Sequence, residues 1–137
     1  ARRLSPAAAA MRILIVAEHA SARFGGEAAL PLHYFRVLER RGHDVHLLVH
    51  ARTRAELEAL YGAHPRIHYI EDSAFHVAMW RVGSRLPRQL AYLTVGFASR
   101  LATQLAQAKI ARRLVRQERI EVVHQPIPVS PREPSAL

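Results

Sequence analysis

Met11-Arg-Ile-Leu-Ile-Val-Ala-Glu-His-Ala-Ser-Ala-Arg-Phe-Gly-Gly-Glu27 is the stretch that decides the fold. Ile13 to Ala17 is an unbroken apolar run bounded by polar residues. Such a run reads as a strand buried on both faces. A loop then closes on Gly25-Gly26, and a helical pattern begins at Glu27. Strand, glycine loop and helix in that order make the front half of a βαβ unit. Ligands of open parallel sheets bind beyond the carboxyl ends of the strands, so this loop is expected to border any site.

Outward from that stretch, the pattern repeats. A helix over Glu27 to Arg41 would turn Ala28, Leu32, Phe35 and Leu38 towards a sheet. Pro31 fits only its first turn, and Gly42 suits the residue just past its end. Val45 to His50 reads as a second strand. Arg54 to Tyr61 reads as a second helix, with Thr53 as N-cap and Glu56 completing a capping box. Ile67 to Ile70 is a third short strand, closed by Glu71-Asp72-Ser73. Ser99 to Glu118 reads as a long helix whose apolar face is Leu101, Leu105, Ala108, Ala111 and Val115. Ile120 to His124 is a fourth strand. The expected fold class is α/β, an open doubly wound parallel sheet of four strands with flanking helices and right-handed crossovers, Rossmann-like in plan.

Two segments fit this pattern less well. Residues 74–100 mix Phe75, Trp80, Tyr92 and Phe97 with Arg81, Arg85, Arg88 and Arg100, and Pro87 divides them. They read either as an amphipathic surface for lipid or a partner, or as helices packing on the sheet; the second is the commoner use of such a pattern. After His124 come four prolines, which exclude a central strand or helix interior and leave a stiff loop at the carboxyl edge.

Composition bounds the rest. The 137 residues correspond to about one domain, and half are hydrophobic, enough for a core. There is no cysteine, which excludes disulfides and cysteine-ligated metals. The net charge is +9, carried almost wholly by arginine, with Lys109 the only lysine. The arginines are scattered rather than blocked, so nucleic acid is not the expected partner and an anionic membrane surface stays open. Residues 1–10 lack the apolar core of a secretory signal and read as a flexible extension before Met11. No run reaches the ~18–20 apolar residues of a membrane span. The expected location is cytoplasmic, with peripheral contact to the inner face of the membrane as an open variant.

Several chemistries drop out. No G-x-G-x-x-G follows the first strand, no acid ends the second strand to hold a ribose, and no Gly-Lys-Ser/Thr marks a P-loop. Two glycines at a helix start remain. They are either a structural turn or a place where backbone N–H groups meet an anion such as a diphosphate. Among nine histidines, His43, His46 and His50 lie close, but no H-E-x-x-H spacing joins them and no metal is expected. His124 ends a strand at the carboxyl edge. It has either no role or a hydrogen bond to a substrate hydroxyl or phosphate. Glu18 and His19 are adjacent on an extended segment and would point apart.

Met11-Arg-Ile-Leu-Ile-Val16, the loop ending Gly25-Gly26-Glu27, the helix ending Leu38-Glu-Arg-Arg-Gly-His-Asp-Val45 and Glu121-Val-Val-His124 together resemble the N-terminal domain of retaining glycosyltransferases with the GT-B fold, family 4. The resemblance covers Met11 to Leu137. It implies a hexosyltransferase-type enzyme that moves a sugar from a nucleotide-sugar donor to a sugar or lipid-linked acceptor, without a metal or other cofactor. It further implies that Gly25, Gly26 and Glu27 lie near the donor diphosphate, that His124 contacts the transferred sugar as the catalytic-site residue, and that the sheet order is 3-2-1-4. Many members carry a second histidine two residues after the first, where this chain has Pro126. The family's later strands and its nucleotide-binding domain with paired glutamates are not among these residues. The expectation is therefore an incomplete acceptor-side domain over 11–137, inactive by itself. A stand-alone α/β binding module for an anionic membrane surface is the alternative.

Overall fold

A computed structural model describes residues 9–23, 26–72 and 74–126, Phe75 by its backbone only. The N-terminal extension as far as residue 8, Phe24 and Gly25, Ser73 and the proline-rich tail from residue 127 lie outside the described residues. The four strands are β1 (Arg12–Val16), β2 (Asp44–His50), β3 (Ile67–Ile70) and β4 (Val122–His124). They pair in parallel in the order β3-β2-β1-β4, as the family resemblance implied. Ile13 stands opposite both Val45 and Val122, and Ile15 stands opposite His124.

Side-chain alternation splits the core into two layers. Ile13, Ile15, Val45, Leu47, Val49 and Ile67 face one side of the sheet. They pack there with Leu32 and Phe35 of helix α1 (Leu30–Arg40) and Leu57 of α2 (Arg54–Tyr61). Leu14, Val16, Leu48 and Ile70 face the other side and meet Ala111 and Leu114 of α5 (Phe97–Gln117). Burial on both faces is what the continuous apolar run in β1 required.

The expected first helix starts as a 3-10 turn, Gly26–Ala29, before α1 proper. Pro31 has no N–H to bond the carbonyl of Glu27, so the α-helical ladder cannot begin earlier. At the other end Gly42 takes φ +84°, its N–H donates to the Glu39 carbonyl at 2.9 Å, and the His43 N–H donates to the Leu38 carbonyl at 3.2 Å. This is a Schellman closure, and it needs a residue free to enter the left-handed region.

The capping box expected before α2 does not form. Residues Ala51–Thr53 are a 3-10 turn, so Thr53 already has helical backbone angles, and its Oγ1 donates back to the His50 carbonyl at 2.9 Å. His50 caps that turn instead, its Nδ1 accepting from the Arg52 N–H. Glu56 points away to the loop after β1.

From Ala74 the chain runs through α3 (Ala74–Gly83), α4 (Arg88–Ala91), a π-helical turn (Tyr92–Gly96) and α5. Pro87 precedes α4 as its N-cap, with an extended ψ of 140° that separates α4 from α3. The favoured expectation for residues 74–100, helices laid on the sheet, does not hold for α3, which packs on the π turn and α5; the part of α5 that meets the sheet, around Ala111 and Leu114, lies beyond residue 100. A Cβ on Gly83 would meet Val95 at 3.0 Å, so glycine permits that approach.

The buried face of α5 also differs from expectation. Gln104, Gln107, Ala108, Ala111 and Leu114 are buried, whereas Leu101 and Leu105 are 46% and 58% exposed. Two glutamines hold positions that hydropathy assigned to leucines. The fourth strand begins at Val122 rather than Ile120. Arg119 turns the chain at φ +52°, and the Ile120 N–H bonds back to the Val115 carbonyl.

Candidate functional site

The sheet order brings the ends of all four strands to one edge, where two features stand. The first lies at the ends of β1 and β4. Gly26 opens the 3-10 turn at φ +68° and, with Glu27, is exposed. Gly25 is outside the described residues. His124 is half-buried, and its ring meets Tyr34 of α1 edge-to-face, centroids 5.1 Å apart at 85°. Tyr34 stands in the second turn of α1, on the helix that follows the glycine loop, and that position is the only signal of the contact in the sequence. The structure thus sets His124 beside α1, whose leading turn carries Gly26 and Glu27.

The second feature is a cleft of about 570 Å³. Its strand-side wall carries Glu18 after β1, Arg52 after β2 and Asp72 after β3. Its helix-side wall carries Trp80 and Arg81 of α3 with Arg100 and Thr103 of α5. No acid follows β2, where the sequence has His50 and Ala51. The acid at this edge comes from the next strand, as Asp72.

Hydrogen bonds fix two histidines around the cleft. His50 is 3% exposed. Its Nδ1 accepts from the Arg52 backbone N–H, so Nε2 carries the proton and donates to Asp72 Oδ1 at 3.1 Å. Burial, and then the neighbouring Arg52 charge, push the His50 pKa down and keep the ring neutral. Arg52 also lies 3.8 Å from Asp72. On the helix side, Thr103 Oγ1 donates to the Ser99 carbonyl at 3.0 Å. The His76 Nε2–H therefore donates to Thr103 Oγ1 at 2.8 Å, which pins α3 against α5.

The loop after β1 is anchored separately. Glu56 accepts from the Ser21 hydroxyl and from the N–H groups of Ala22 and Arg23. The Ser21 bond first, and the two backbone bonds with it, hold its carboxyl below the usual range against the opposing effect of burial. Glu18 and His19, expected to point apart, approach to 3.7 Å because the strand has ended by then.

His46 and His50 do share a strand face, but each has its own partner. His46 stacks on His68, Nδ1 to Nε2 at 3.1 Å, and His50 holds Asp72. Among the described residues no three histidine or acidic side chains are grouped to hold a metal ion. No helix among them is long and apolar enough to cross a membrane. The edge offers fixed hydrogen-bond acceptors, guanidinium donors and an indole face, which suits holding a polar ligand. No family model matches this chain, and no curated protein or solved structure does.

Proposed function

We propose that this chain is the acceptor-side portion of a retaining glycosyltransferase that moves a sugar from a nucleotide-sugar donor to a sugar or lipid-linked acceptor. The observation that carries the reading is the parallel order β3-β2-β1-β4, which sets the glycine loop after β1 and His124 on neighbouring strands at one edge. On this reading, backbone N–H groups at Gly26 and Glu27 face the donor diphosphate, and His124, braced by Tyr34, hydrogen-bonds the transferred sugar. No metal takes part. The test uses the product of the complete reading frame that contains this chain. Incubated with nucleotide sugars and candidate acceptors, it should release nucleoside diphosphate and form a glycoside of retained configuration. His124→Ala should lower turnover by at least tenfold. Absence of nucleoside diphosphate release, or full activity in H124A, overturns the reading.

A second reading is peripheral docking to an anionic membrane surface. It is favoured by the exposure of Trp80, Tyr92, Leu93 and Phe97 at 78%, 68%, 69% and 62%, with Arg85 and Arg88 exposed nearby. Co-sedimentation with anionic vesicles at low and high salt tests it. Absence of salt-sensitive binding removes it.

A further inference from the structure

We propose that the cleft between the strand ends and helices α3 and α5 binds a phosphorylated polyol, held by its phosphate on the helix side and by its hydroxyls on the strand side. The inference rests on the glycosyltransferase reading only in that it makes this ligand the acceptor.

The charge distribution selects the phosphate. Arg52, Arg81 and Arg100 line one cavity from three separate elements, beside two carboxylates, and Arg100 also lies over the Tyr92 ring at 5.7 Å. Asp72 is already engaged by His50 at 3.1 Å and lies 3.8 Å from Arg52. Arg81 has no ion pair among the described residues, so the positive excess lies on the helix wall. A planar carboxylate matches one guanidinium fork. A tetrahedral phosphate presents oxygens in several directions and suits forks arriving from different sides.

The two carboxylates select the rest of the ligand. Glu18 and Asp72 would repel a bare phosphate, but they are acceptors placed to take hydroxyl protons. The Nε2–H of His50 fixes Asp72 in position before any ligand arrives. Trp80 contributes an exposed indole face at the same wall, suited to the C–H face of a polyol or sugar ring. A volume of about 570 Å³ is ample for a sugar phosphate or a phospholipid headgroup. The phosphate can therefore come from a free metabolite or from a lipid.

The experiment is a calorimetric titration of this chain, without donor, with glucose 6-phosphate, inorganic phosphate and glucose. The expected order of affinity is glucose 6-phosphate, then phosphate, then glucose. Arg81→Gln should weaken glucose 6-phosphate binding by at least tenfold. Asp72→Asn should weaken glucose 6-phosphate binding but not phosphate binding. Lys109→Gln, on an exposed position of α5 outside the cleft, should change neither, and circular dichroism checks that each variant is folded. A parallel arm uses vesicles of phosphatidylcholine with and without phosphatidylglycerol. Binding to phosphatidylglycerol that D72N weakens and glucose 6-phosphate competes away supports the proposal and names a lipid source. Binding that ignores both reagents, with no binding of the free sugar phosphate, overturns it. Equal affinity for phosphate and glucose 6-phosphate overturns it as well. Phosphate-ester binding without any glycosyl transfer by the complete enzyme leaves this inference standing and removes the glycosyltransferase reading. Transfer to an uncharged acceptor without phosphate-ester binding does the reverse.

Discussion

The carboxylate of Glu56 in α2 holds the loop that follows β1, accepting from Ser21 Oγ at 2.7 Å and from the Ala22 N–H at 2.8 Å. Ser21 is 2% exposed, so its hydroxyl has little water to fall back on. Hydrogen bonds to a charged acceptor contribute about 1.5–3 kcal/mol, and the partial exposure of Glu56 lowers that. Glu56→Gln presents an amide where the loop needs only acceptors. It is expected to cost about 1–2 kcal/mol in urea denaturation. Hydrogen exchange at the Ala22 and Arg23 amides should quicken at the same time. Unchanged midpoint and unchanged exchange would show that the loop stands without this anchor.

Phe35 offers a control of a different kind. It is fully buried at the centre of the layer between α1 and the sheet. Phe35→Ala removes that volume and leaves a cavity, with an expected loss of about 3–5 kcal/mol. For a domain of this size such a loss is a large part of the total stability. The variant should therefore lose the cooperative thermal transition of the parent or show it at a much lower temperature.

How far the sequence was legible follows from which forces act locally. The strands of the sheet centre, the Schellman closure at Gly42 and the two-faced burial of β1 come from apolar runs and single-residue backbone demands, which are written in order along the chain. Thr53 and Glu56 have the spacing of a local capping pair, but Glu56 bonds Ser21, 35 positions away. Nothing near Glu56 in sequence signals that choice. Likewise Asp72, Arg52 and Arg81 meet at one cleft only because three connections end on the same edge. Hydropathy placed Leu101 and Leu105 inside α5 because it scores residues, not the line of contact with the sheet.

Acid should weaken the fold before the carboxylates titrate. His46 and His68 stack with centroids 5.4 Å apart, and one ring nitrogen faces the other at 3.1 Å. A bond between two imidazoles needs one N–H and one bare nitrogen, so at least one ring is neutral. Burial pushes both values below the ordinary 6.5, and proximity to His46 adds to the shift at His68. Burial lowers His50 too. A depressed folded value means that the unfolded chain binds more protons below pH 6.5, so stability falls as pH falls through that window. The urea midpoint is expected to drop between pH 7.5 and 5.5. The double variant H46N/H68N should have a smaller drop, whatever its absolute stability. An equal drop in parent and variant would assign the effect elsewhere.

Two leucines in α5 separate the expected helix face from the observed one. Leu114 is buried in the cluster with Leu14, Val16, Leu48 and Ile70 of the sheet, whereas Leu105 is mostly exposed. Leu114→Ala should cost about 2–4 kcal/mol by loss of burial and cavity formation. Leu105→Gln should change stability by less than about 0.5 kcal/mol. Thermal melts of the two variants decide it, and a larger loss at Leu105 would rotate the helix to the face that hydropathy implied.

Gln107 is the sharpest departure from a hydrophobic face, since it is 2% exposed and its Oε1 has no hydrogen-bond partner among the described residues. A buried acceptor left unpaired carries a desolvation cost of about 1–3 kcal/mol. Methionine has similar length and no strong polar group, and its flexible chain adapts to irregular gaps. Gln107→Met is therefore expected to stabilise the protein by about 1 kcal/mol, part of the gain being offset by loss of any bond through the amide nitrogen. Gln104 is slightly more exposed and its Oε1 is likewise unpaired, so Gln104→Met should show a smaller gain. A loss of stability in Q107M would mean that a water or another group satisfies the amide and that the glutamine fixes how α5 sits on the sheet. A gain in Q107M together with unchanged ligand binding would mark Gln107 as a polar residue that the fold tolerates rather than requires.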